Sequence, residues 1–149
     1  MNFQQKNIYA SLFTIVILFG AYYWKVSDLY TAGAFDGPDG TRLIGKAILA
    51  LMAVGVILRI IGMILISIFH AILTNTPKPS FLIDERDREI EMQALKVGNN
   101  FTFFSMVSAF IALAMGWSIF AVFQIIIAGC AVSALAEVAT QFILYRRTA

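Results

Sequence analysis

From Val97 to Tyr145 the chain carries a single charged residue, Glu137, in 49 positions. As one helix rising about 1.5 Å per residue this stretch would reach about 73 Å, more than twice the roughly 30 Å hydrocarbon core of a bilayer. It must fold back on itself, and Met115-Gly116-Trp117-Ser118 offers turn residues near its middle. A second uncharged run, 7–24, separates Lys6 from Lys25, two residues about 28 Å apart on a helix and so almost one span. A third, Leu43 to Leu73, is apolar apart from Lys46, Arg59 and His70 and is longer than one straight crossing requires. Pro77 and Pro79 end it, because proline removes a backbone donor and clashes with the preceding turn.

Charged residues make up only 13% of the chain and hydrophobic ones 60%, whereas a soluble domain needs about 25% charged residues to cover its surface. The reading is an all-α integral membrane four-helix bundle, a single domain over 1–149 built from two helical hairpins. Its spans are expected at about 7–25, 46–72, 98–116 and 119–144, with a cytoplasmic amphipathic helix at about 81–97. The N-terminal run has the polar-then-apolar form of a secretory signal. It is long enough to span, however, and no small-x-small site precedes Tyr22-Tyr23-Trp24, so it reads as an uncleaved first helix. The string Asp36-Gly37-Pro38-Asp39-Gly40 marks an exposed loop after it.

Orientation follows from the basic residues. Lys6, Lys78, Arg86, Arg88, Lys96, Arg146 and Arg147 fall on one side of a four-span arrangement, and Lys25, Arg42 and Lys46 on the other. The positive-inside bias therefore places both termini in the cytoplasm, with Trp24 and Trp117 at the outer interface.

Several chemistries are set aside at this level. A net charge of +2 without a basic run gives no footprint for nucleic acid. One cysteine, Cys130, cannot form an internal disulfide, a redox pair or a cysteine zinc site. His70 is the only histidine and falls near the cytoplasmic headgroups, so no metal site is expected; Asp36 and Asp39 read as a bare turn before a weak calcium site. No nucleophile–base pair of catalytic spacing is visible, which points away from an enzyme and from a cofactor.

Two ionisable groups fall inside the apolar runs. Arg59 lies about 20 Å along the helix from Lys46 and Glu137 about 13 Å from Arg146, which puts both near the midplane of a core of about 30 Å. They are expected to pair, as a structural ion pair or as a proton or cation site. Cys130, Ser133, Ala134, Glu137, Thr140 and Gln141 form one small or polar stripe, and Gly55, Arg59 and Gly62 another. Ser105, Ser108, Ala109, Ala112 and Gly116 form a third, of the kind that lets helices approach closely in lipid.

The densest charge lies in Asp84-Glu85-Arg86-Asp87-Arg88-Glu89-Ile90, where the spacings of Asp84 and Glu85 to Arg88 support a helix. Ile83, Ile90, Ala94, Val97 and Phe101 share roughly one face of it. This string resembles the Asp-Glu-Arg-Asp-x-x-Ile motif of a family of uncharacterised small bacterial multi-pass membrane proteins with paired hydrophobic hairpins. The resemblance implies a plasma-membrane location, the bacterial inner membrane, and carries no activity, cofactor or catalytic residue with it. Asp84, Glu85, Arg86, Asp87 and Arg88 are then either a solvated connector or a docking helix. The functional expectation is a non-enzymatic accessory or regulatory protein that meets lipid and a membrane partner or a second copy of itself. The alternative is a small proton- or cation-coupled transporter or channel subunit using Glu137.

Overall fold

The structure, a computed structural model, describes residues 3–74 and 85–147. Four helices account for nearly all of them: α1 (Phe3–Thr31), α2 (Gly40–Thr74), α3 (Glu85–Ala114) and α4 (Ile119–Arg147). No strand occurs among the described residues. Each helix is long and apolar enough to cross a membrane. At about 1.5 Å per residue they measure roughly 43 to 52 Å, so each outruns the core of about 30 Å at one end or both.

The two hairpin turns use the same stop signal. Gly33 and Gly116 have φ of 67° and 79°, a left-handed conformation that costs glycine nothing. After α1, Ala34 N donates to Leu29 O and Gly33 N to Tyr30 O; after α3, Trp117 N donates to Ala112 O and Gly116 N to Leu113 O. Both are Schellman closures, which satisfy the last carbonyls of the helix. Ser118 then opens α4, accepting at its Oγ from Ala121 N at 3.2 Å as an N-cap. The turn expected at 115–118 is therefore where the chain reverses.

Packing centres on α4, which touches the other three helices and packs most extensively on α3; α1 and α2 also meet. Along α3 the contact stripe is Ala94, Gly98, Thr102, Ser105, Ala109 and Ala112. Ala94 is wholly enclosed and Gly98, Ala109 and Ala112 are buried. Thr102 Oγ1 donates to Ser133 Oγ at 3.0 Å, Ser133 Oγ to Gly98 O at 2.8 Å and Ser105 Oγ to Ile125 O at 3.0 Å. Hydroxyls bonded across helices replace the water that lipid cannot supply, at about 0.6 kcal/mol apiece on average. Of the small-residue stripe expected on α3, Ser105, Ala109 and Ala112 belong to this seam. Ser108 instead faces outward and bonds Phe104 O of its own helix, and Gly116 belongs to the turn.

At the turn end of the bundle Tyr30 stacks on Phe120 at 5.2 Å and Phe35 lies 4.6 Å from the same ring. Midway, Gln124 Nε2 donates to Tyr22 Oη at 3.1 Å and joins α4 to α1. At the terminal end Tyr9 meets Phe142 edge-on at 5.9 Å, and Tyr145 Oη donates to Asp87 at 2.8 Å. The two hairpins are thus tied at three levels through α4.

One expectation is modified. The charged helix expected to lead into the third span is not a separate element from Glu85 onward, because α3 runs unbroken to Ala114. Ile90, Ala94 and Gly98 lie buried on the face turned to α4 and carry the seam through the charged turns. Asp84 and the side chain of His70 lie outside the described residues.

Candidate functional site

No Cα of α2 comes within 8 Å of a Cα of α3 among the described residues, so the bundle is open along that side. In the opening lies a cavity of about 460 Å³ lined by Arg59 of α2, Arg88, Glu91, Met92 and Leu95 of α3, and Glu137 of α4. Spacings of three and four place Arg88, Glu91, Met92 and Leu95 on one side of α3, adjacent to the buried stripe Ile90, Ala94 and Gly98. The seam with α4 therefore sets the rotation of α3 that turns these four residues toward α2.

Arg59 and Glu137, read from the sequence as partners at one depth, do line the same cavity. No direct ion pair joins them among the described residues. Arg59, Arg88 and Glu91 are exposed, and Glu137 is half-buried. A Cβ added to Gly98 would lie 3.5 Å from that of Glu137, which fixes Glu137 at the level of α3 just beyond its charged turns. Arg59 and Glu137 thus sit where the charged part of α3 begins, towards the end of the bundle that carries both termini.

The remaining motif residues divide. Asp87 is taken up by Tyr145, and Arg88 belongs to the cavity. Glu85 is exposed, and Gln93 Nε2 reaches Glu89 at 3.3 Å on the side turned away from the bundle. Glu91, Met92 and Leu95 were not singled out in the sequence, although their spacing from Arg88 would have grouped them. Cys130 is exposed and Gly62 meets open space, so neither lies in a packed interior, whereas Gly55 receives Leu18 of α1. Among the described residues no group of three or more His, Cys, Asp or Glu side chains converges as metal ligands would.

Among the described residues, two guanidiniums and two carboxylates line the cavity, and their formal charges cancel. Such a set can recognise a partner bearing both signs, and it offers a bare cation no net attraction. No protein family, curated protein or solved structure matches the chain.

The absence of direct contact changes what a mutant cycle at Arg59 and Glu137 should report. Breaking a buried ion pair costs about 3–5 kcal/mol, but charges that share an open cavity couple more weakly. Arg59→Leu and Glu137→Leu are expected to show a coupling of about 0.5–1 kcal/mol in denaturation of the detergent-solubilised protein. A coupling of several kcal/mol would mean that the two side chains meet.

Proposed function

We propose that this chain is a non-enzymatic multi-pass membrane protein that works by interaction, as an accessory or regulatory subunit of the bacterial inner membrane. Its termini and the charged part of α3 face the cytoplasm, a reading that rests on the excess of Lys and Arg at that end. The observation that carries the proposal is the form of α3. At 30 residues it exceeds a span by about ten. The surplus is held to α4 by Ile90, Ala94 and the Tyr145–Asp87 bond, so it projects as a rigid and mostly exposed charged rod. Docking to a rod already ordered avoids the entropy of folding a segment on binding. Its face away from the bundle presents Glu85, Glu89, Gln93 and Lys96. A guanidinium in the same cavity as Glu137 weighs against the transport alternative.

A photo-crosslinking residue at Gln93 tests the idea in intact membranes. One discrete heterologous adduct is expected, and it should be lost when Glu89→Lys and Lys96→Glu reverse the face. Insertion should be unaffected, because these side chains lie outside the apolar stretch. If no discrete adduct forms, or if it survives the reversal, this face of α3 is a solvated connector.

A further inference from the structure

We propose that the open cavity between α2, α3 and α4 binds the headgroup of a zwitterionic phospholipid that carries a primary ammonium, of the phosphatidylethanolamine type. This inference is independent of the outward face of α3. It starts from four charged side chains, Arg59, Arg88, Glu91 and Glu137, around one cavity that opens sideways between two helices. Charged groups beside hydrocarbon are costly unless something satisfies them, and no direct ion pair joins Arg59, Glu91 and Glu137 among the described residues. The occupant should therefore carry both signs.

Shape and position narrow the choice. A cavity of about 460 Å³ is concave and of the size that holds a small molecule. A second copy of the chain, pressed against it by a two-fold axis, would set hollow against hollow. Along α3 the cavity sits at the level expected of a headgroup, between the Tyr145–Asp87 tie and the start of the uncharged part of that helix. Towards the turn end of the bundle α2 offers acyl chains an exposed apolar surface, including Met52, Val56 and Ile57.

The chemistry of the walls selects among lipids. Guanidinium forks grip a phosphate through paired N–H donors, which suits Arg59 and Arg88. A primary ammonium has three N–H donors for the carboxylates of Glu91 and Glu137. A quaternary ammonium has none and is usually held by aromatic faces, yet none of the described residues that line the cavity is aromatic. An anionic headgroup without an amine would satisfy the arginines and leave both carboxylates facing a negative charge.

Native mass spectrometry of the full-length protein, released from micelles holding equal amounts of phosphatidylethanolamine, phosphatidylcholine and phosphatidylglycerol, tests this directly. The expected result is retention of phosphatidylethanolamine at least about tenfold over the other two, a factor equivalent to about 1.4 kcal/mol. Arg59→Gln with Arg88→Gln should abolish the preference at unchanged helicity. Glu91→Gln with Glu137→Gln should redirect it to phosphatidylglycerol, an outcome that simple misfolding does not produce. Glycerophosphoethanolamine, the headgroup without its chains, should compete only weakly. Competition equal to that of the whole lipid would overturn a lipid source in favour of a soluble zwitterion. Equal retention of the three lipids, or a lipid-free dimer that dissociates in the arginine variant, would overturn the site.

Discussion

Replacing Gly129 by valine should separate α3 from α4 and lower stability by at least the roughly 1–3 kcal/mol of an overpacked core. A Cβ at Gly129 would overlap the Ser105 side chain, whose hydroxyl donates across the same interface to Ile125 O. Neither backbone can yield without breaking that bond. Gly129→Ala should also destabilise, although alanine is favoured over glycine by about 1 kcal/mol in a helix. Gly62, where an added Cβ meets nothing, is the internal control, and Gly62→Ala should be neutral or slightly stabilising. Joining Ser105→Gly to Gly129→Ala should recover most of the loss by restoring room on the facing helix. Strict additivity of those two changes in a detergent unfolding titration would show that they do not meet.

Ala94→Asp should cost more, on the order of the 3–5 kcal/mol of a buried charge left without a partner. Ala94 has 0% of its surface exposed, in a stripe where the two helices come close. The variant should detach the charged turns of α3 from α4 before it unfolds the apolar part. Faster proteolysis confined to 85–97, with the remainder of α3 protected, is the expected pattern. Ala94→Ser should be mild, since a serine hydroxyl in a helix can bond the carbonyl four residues back. Wild-type protection of 85–97 in Ala94→Asp would mean that the charged rod does not depend on this contact.

The helices were legible in the sequence because span length and hydropathy leave few other choices. Met115-Gly116-Trp117-Ser118 was legible as a turn because glycine accepts the left-handed φ that Gly116 adopts, and Ser118 caps the start of α4. Which face of each helix is inward was only partly legible. In lipid the outside is as apolar as the inside, so the rule that separates core from surface in water loses its contrast. Ser105 and Ser108 therefore looked alike, although one bonds across to α4 and the other to its own helix. Arg59 and Glu137, expected as partners because each interrupts an apolar run, do line one cavity, although no direct ion pair joins them among the described residues. Their company was not legible, because Glu91 and Arg88 reach the cavity only through the rotation of α3 that Ala94 and Gly98 impose.

The central place of α4 also bears on how the protein is made. α1 and α2 are synthesised before α3 and meet each other, but among the described residues neither brings a Cα within 8 Å of α3; what they pack on beyond themselves belongs to α4. The N-terminal pair must therefore wait, laterally exposed in the bilayer, until the last described helix has been threaded into place. Tyr22 has no Gln124 to accept from, and Tyr9 no Phe142 to rest against, before that moment. Assembly of this bundle thus waits on α4, and a ribosome stalled before Ile119 leaves behind three helices without the one that unites them.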